Sequence, residues 1–166
     1  AFTSRFTLIH PEIVRAAAPG SPGGWPLAPV SSWKGTTMRY PVGVADLRSL
    51  VGAALDVEAV GKVPEYIYVG DLDRNDALDT RSFPQAETDA ICALLDCRPE
   101  PYISNRWPIA EDIYTSVDMF NEFVIYPGVA HTISAEMFSD LLDFFRRHKA
   151  ARTNINSATQ LLLLGD

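Results

Sequence analysis

Long apolar runs are missing from this sequence. Nowhere does it approach the roughly 20 residues a bilayer-spanning helix needs, so no membrane is expected among its partners. Positive charge is also scarce. Lys and Arg number 14 against 21 Asp and Glu, a net charge of −7 with a pI near 4.9. That balance excludes the basic surface that nucleic acid or an anionic membrane selects. Cysteine occurs only as Cys92 and Cys97. This is too little for a zinc set or a disulfide framework, and both are expected to be structural thiols. No glycine-rich loop opens a helix as a phosphate cradle does, so neither cofactor nor metal is expected. No basic N-terminal region runs into a short apolar core, so no leader is visible. The chain begins as if within a domain, which leaves localisation open with the cytoplasm as default. What remains is one domain of ordinary composition, 166 residues long and able to bury a sizeable core.

The most informative stretch is Pro64-Glu65-Tyr66-Ile67-Tyr68-Val69-Gly70-Asp71-Leu72-Asp73-Arg74-Asn75-Asp76. Tyr66 to Val69 is apolar throughout, which suits a strand buried on both faces of a parallel sheet. Gly70 stops it, so the acids follow at its carboxyl end, where open α/β sheets build their sites. A similar unit comes later: Glu122-Phe123-Val124-Ile125-Tyr126, then Pro127-Gly128-Val129-Ala130-His131. One strand delivers a carboxylate and the other an imidazole.

Around these units the pattern alternates. Phe2, Phe6 and Ile9 recur at helical spacing up to Pro11, and no capping residue precedes them. Val14 to Ala18 is expected as a short strand, broken at Gly20-Ser21-Pro22-Gly23-Gly24. Residues 25–63 form a long excursion, either lying over the site or packing on the surface, with a short helix within Leu47–Leu55. Pro84 opens a helix whose stripe is Ala86, Ala90, Ile91, Leu94 and Leu95. Residues 98–120 are expected to be irregular, anchored by Trp107 and Tyr114. The last helix is capped by Ser134, carries Glu136 in its first turn and turns Phe138, Leu141, Leu142 and Phe145 inward. Residues 150–166 are expected as a polar tail ending in leucines. The order predicts α/β architecture, a parallel β-sheet of about three core strands flanked by helices.

A carboxylate that accepts a hydrogen bond from one imidazole nitrogen leaves the other facing a hydroxyl, as serine hydrolysis requires. Gly70-x-x-Asp73 and Gly128-x-x-His131 offer equivalent placement. Asp73 is preferred to Asp71, which follows the strand directly and suits turn chemistry, with Asp76 a further contender. A calcium loop from Asp71 fails: its sixth position is Asp76 where glycine is needed, and its twelfth is Ser82 rather than Glu. An Asp-x-Asp phosphatase motif fails at Arg74 and Asn75. Trp25, Trp33, Tyr40, Trp107 and Tyr114 could line an acyl or aromatic pocket or belong to the core.

Residues 1–149 resemble the C-terminal portion of an α/β-hydrolase domain. The segment from Ala1 to Ala16, with His10-Pro11-x-x-Val14, is similar to the helix after the nucleophile elbow running into the next strand. Ile67 to Asp73 is similar to the family's acid strand and Tyr126 to His131 to its histidine loop. Asp143-Phe144-Phe145 is similar to part of its last helix. The resemblance implies an esterase-like serine hydrolase acting on a small ester-like substrate, with Asp73 and His131 as catalytic residues. It also shows a gap, because the family's G-x-S-x-G elbow occurs nowhere in the sequence. The nucleophile is then expected upstream of Ala1, the chain alone is expected to be inactive, and self-association through an exposed sheet edge is expected. The alternative is a non-catalytic remnant or binding module of the same ancestry.

Overall fold

The computed structural model describes residues 2–97 and 102–162, with side chains described to residue 149. The chain divides into two units, Ala1–Thr132 and Ile133–Asp166. In the first, the order is α1 (Phe2–Ile9), β1 (Ser32–Trp33), β2 (Thr36–Thr37), α2 (Leu47–Val51), α3 (Val57–Gly61), β3 (Glu65–Gly70), α4 (Gln85–Leu95), α5 (Tyr102–Ser116) and β4 (Asn121–Tyr126). The second holds α6 (Ala135–Leu162). The fold is mixed α/β, built on the parallel pair β3–β4.

β3 is buried at every position, as its unbroken apolar run predicts. Its first residue, Glu65, is buried as well, at 2 % exposure. β4 pairs with it in parallel from Glu65↔Asn121 to Gly70↔Tyr126, so both strands end at the same edge. On the other side of β3 the expected strand at Val14–Ala18 does not form. The chain instead runs alongside as two isolated parallel bridges, Ala17↔Glu65 and Gly20↔Tyr68. Ala17 and Ser21 donate to the carbonyls of Pro64 and Tyr68, and Tyr66 and Tyr68 donate to those of Ala17 and Pro19. Pro19 has no N–H, which interrupts a regular ladder. The expected three core strands are therefore a parallel pair with one bridged segment beside it.

Three helical expectations also change. Residues 98–120 are not irregular, because α5 fills Tyr102–Ser116 in spite of an internal Pro108. Its inward stripe takes in Ile103, Arg106, Trp107, Ala110, Ile113 and Tyr114, a helical period hidden by an inward arginine. Trp107 and Tyr114 each pack edge-on with Phe123 of β4, at centroid distances of 5.4 and 5.3 Å. On α1 the buried residues are Ser4, Thr7 and Leu8, while Phe2 is 75 % exposed and stacks on Phe6. Leu47–Leu55 holds α2 only as far as Val51, and Gly52 closes it in the left-handed region at φ 78°.

The excursion over 25–63 is split, with its first part sending residues into the core and the stretch 48–54 exposed. Trp25, Ala28, Met38 and Val42 pack with Ile91, Leu95, Ala110 and Ile113 of α4 and α5, and Arg39 bridges to Glu87 at 2.7 Å. Of the stripe expected on α4, Ala86 is exposed and Ile91 and Leu95 are fully buried. Trp25, Trp107 and Tyr114 are core residues at 5 % exposure or less, and Trp33 and Tyr40 pack at the margins of the core.

In the second unit Ser134 Oγ accepts from the Met137 amide at 3.1 Å, a helix cap of the expected kind. The buried face is not the expected one. Phe138, Leu142 and Phe145 are exposed, whereas Met137 and Phe144 are buried and Leu141 is half-buried. Two apolar stripes lie side by side on this helix, and the one spaced Met137, Leu141, Phe144 is the more buried. The helix does not end before residue 150 but continues through Leu162, and Leu163 and Leu164 of the expected tail lie outside the described residues. Among the described residues no helix is long and apolar enough to cross a membrane.

Candidate active site

The carboxyl ends of β3 and β4 are tied together before any side chain of the site is placed. Asp71 and Leu72 donate their amides to the carbonyls of Tyr126 and Val129. The Asp71 carboxylate accepts from the Gly128 amide at 2.7 Å. Gly128, at φ 72°, makes the left-handed turn that brings its loop back. Asp71 thus satisfies a backbone donor, as its position suggests, although that donor belongs to the neighbouring loop. The two glycines are not equivalent: Gly70 is the last residue of β3, whereas Gly128 lies in a turn two residues beyond β4.

This junction sets Asp73 against His131. The Asp73 amide returns to the Gly70 carbonyl at 3.1 Å, which points its side chain inward. His131 Nδ1 lies 2.9 Å from Asp73 Oδ2. The pair is lopsided in solvent, with the Asp73 side chain at 1 % exposure and that of His131 at 54 %. Asp73 Oδ1 accepts from the Asn75 amide at 2.8 Å, and the hydroxyls of Ser21 and Tyr102 also reach the carboxylate. Burial pushes the Asp73 carboxyl up, but hydrogen bonds from the Asn75 amide, His131 and Ser21 outweigh it. Its pKa falls below the ordinary carboxylate value, because every one of these donors favours the charged form. The same surroundings act oppositely on Tyr102, whose hydroxyl is pushed up by burial and by the Asp73 charge.

Asp76 is occupied elsewhere. Arg106, whose side chain is 1 % exposed, grips both of its oxygens at 3.0 and 2.9 Å. Of the three acids, the structure brings only Asp73 to the histidine.

The outer nitrogen of His131 faces solvent and one neighbour: Asn75 Nδ2 lies 3.5 Å from Nε2. In a neutral ring that donates Nδ1–H to Asp73, Nε2 carries a lone pair, and a donor at that position suits it. A deprotonated nitrogen beside a buried carboxylate can accept a proton from an incoming hydroxyl and return it later. Among the described residues no group of three or more His, Cys, Asp or Glu is placed to hold a metal ion.

Four residues of this neighbourhood escape a reading of the sequence. Ser21 sits in a glycine-proline breaker, where only its left-handed φ of 42° marks it. Asn75 draws notice only as a calcium ligand in a loop that fails. Tyr102 and Arg106 belong to the helix that Pro108 conceals.

Cys92 and Cys97, expected to be structural, are joined as a disulfide. Asp96 turns left-handed at φ 53° just past α4, which folds the two cysteines to a Cα separation of 4.7 Å, within disulfide reach.

Comparison with family models, with curated proteins and with solved structures finds no match for this chain.

Proposed function

We propose that this chain is the C-terminal portion of a serine hydrolase, an esterase-like acyl hydrolase, with Asp73 and His131 as the acid and base of its triad. The nucleophilic serine and its oxyanion donors would come from a preceding segment. One observation carries the reading: a buried carboxylate 2.9 Å from Nδ1 of an exposed histidine, at the carboxyl edge of adjacent parallel strands. In the proposed reaction Nε2 takes the serine proton as Oγ attacks an ester carbonyl. The imidazolium then gives that proton to the leaving alcohol, and water repeats the sequence to release the acid. Asp73 stays ionised, fixes the tautomer and stabilises the imidazolium. The partner is a small ester-like molecule, and no cofactor takes part.

A second reading, a binding module or remnant of the same ancestry, draws support from Asn75. Its amide stands where a serine hydroxyl would approach Nε2.

Fluorophosphonate reactivity separates the two. The chain alone should not be labelled. Joined to an N-terminal segment supplying a strand-G-x-S-x-G elbow, it should be labelled at the elbow serine, and His131→Ala should abolish labelling. Labelling of the isolated chain would overturn the placement of the serine, and no labelling of the joined protein would favour the binding module.

A further inference from the structure

We propose that Arg106 is the positioning residue of the acid loop and that the Cys92–Cys97 disulfide controls it, so that reduction loosens Asp73 from its place against His131. The importance of that loosening for hydrolysis rests on the function proposed above; the mechanical coupling does not.

The guanidinium of Arg106 is a fork with five N–H donors, and its two sides serve different parts of the chain. Nε donates to the Leu95 carbonyl at 3.0 Å, with a longer approach to that of Asp96 at 3.4 Å. Nη2 donates to the Asp96 carbonyl at 3.2 Å. On the opposite side, Nη1 and Nη2 hold the two oxygens of Asp76. One buried cation therefore joins the turn after α4 to the acid loop. From Asp76 the path to the site is short. Asp76 Oδ1 accepts from the Leu78 amide, and the Ala77 amide is held by the Gly23 carbonyl. The preceding residue, Asn75, has its carbonyl bonded to the Tyr102 hydroxyl at 3.3 Å and its amide bonded to Asp73. The Tyr102 ring also packs 5.6 Å from the Arg106 guanidinium.

The carbonyls that Arg106 needs, those of Leu95 and Asp96, lie between the two linked cysteines. Asp96 is held left-handed at φ 53°, a conformation Asp tolerates better than most side chains but that neighbouring restraints still favour. The disulfide and the Asn105 side chain, which donates to Asp96 Oδ2 at 2.8 Å, are such restraints here. With the disulfide gone, the turn loses its covalent tie and keeps only non-covalent ones, among them the Asn105 bond and the bond from the Asp96 amide to the Cys92 carbonyl, so the Asp96 carbonyl can turn away from the guanidinium. Cys97 is exposed, so a soluble dithiol can reach it. The dithiol is oxidised to its own disulfide as each cysteine sulfur gains one electron and one proton.

Amide hydrogen exchange on the full chain, oxidised and treated with dithiothreitol, tests the coupling, with the imidazole proton signals of His131 recorded in both states. Reduction should speed exchange at Asn75, Ala77 and Leu78 by about tenfold or more, while Ile67 and Val69 in the sheet keep their protection. The Nδ1 proton signal of His131 should weaken in parallel. Cys92→Ser with Cys97→Ser should show the loosened pattern without reductant and ignore dithiothreitol. Arg106→Lys, which keeps the charge and loses the fork, should loosen the loop while the disulfide stays intact. Unchanged loop exchange on reduction would overturn the proposal, as would equal loss of protection in the sheet, which would make the disulfide a support of the whole fold. A loop that loosens in a protein whose elbow-joined form takes no fluorophosphonate would leave the coupling standing and sink the hydrolase reading alone.

Discussion

A Cβ on Gly70 would lie 2.0 Å from the carbonyl oxygen of Val129. The acid strand and the histidine loop touch through that missing side chain, so even a methyl group must push backbone away. Gly70→Ala is expected to destabilise the fold by about 1–3 kcal/mol, the usual cost of overpacking. It should also lengthen the Asp73–His131 contact. Denaturant unfolding measures the first effect, and the imidazole proton signals of His131 report the second.

Asp71 is two residues away and chemically identical to Asp73, yet it has a different task. Asp71→Asn removes the charge from the bond to the Gly128 amide while keeping an oxygen acceptor, and should cost no more than about 1 kcal/mol. Asp73→Asn removes the charge that holds the Nδ1 proton and offers an N–H donor to Nδ1, which favours the wrong tautomer. In the elbow-joined protein it should lower turnover by about 10³- to 10⁴-fold, with ester hydrolysis as the assay.

Asp73 also governs an acid limb of stability. Its folded pKa lies below the unfolded carboxylate value, so the folded state binds fewer protons there. The resulting stabilisation is complete above the unfolded pKa of about 4 and is lost as pH falls through the lower folded value. Urea midpoints measured from pH 5 downward should fall less steeply in Asp73→Asn than in the native chain.

Glu65 works in the opposite sense. Burial raises its carboxyl to about 8, so the folded state holds a proton that the unfolded chain releases near pH 4. The Glu65 contribution to stability is then greatest below that point and declines as pH rises towards 8. Glu65→Gln, neutral at every pH, should flatten the profile and be more stable than the native chain by on the order of 3 kcal/mol at pH 8. Paired denaturation curves at pH 5 and pH 8 check both sign and size.

The strands were legible because their chemistry is redundant. Tyr66 to Val69 and Phe123 to Tyr126 each combine β-branched and aromatic residues with a glycine close behind, and parallel pairing makes their loops neighbours. The helix at Tyr102–Ser116 was not legible, since Pro108 and an inward-facing Arg106 both argue locally against it and tertiary contacts overrule them. The segment at Ala17–Ser21 was legible only in part, because the expected strand at Val14–Ala18 overlaps it by two residues and Pro19 removes the donor a strand requires. On α6 two apolar stripes compete, and no local rule chooses between them. The links from Asp73 to Ser21 and Tyr102 were invisible for another reason: each joins residues that only the assembled fold brings together.

The central claim is that Asp73 holds His131 by Nδ1 and leaves Nε2 free to take a proton. Nitrogen-15 spectra of the His131 ring, recorded on the full chain at a pH where the imidazole is neutral, test it most directly. The proton should reside on Nδ1 with Nε2 bare, and that preference should disappear in Asp73→Ala. A ring carrying its proton on Nε2 in the native chain, or one indifferent to Asp73, would contradict the account.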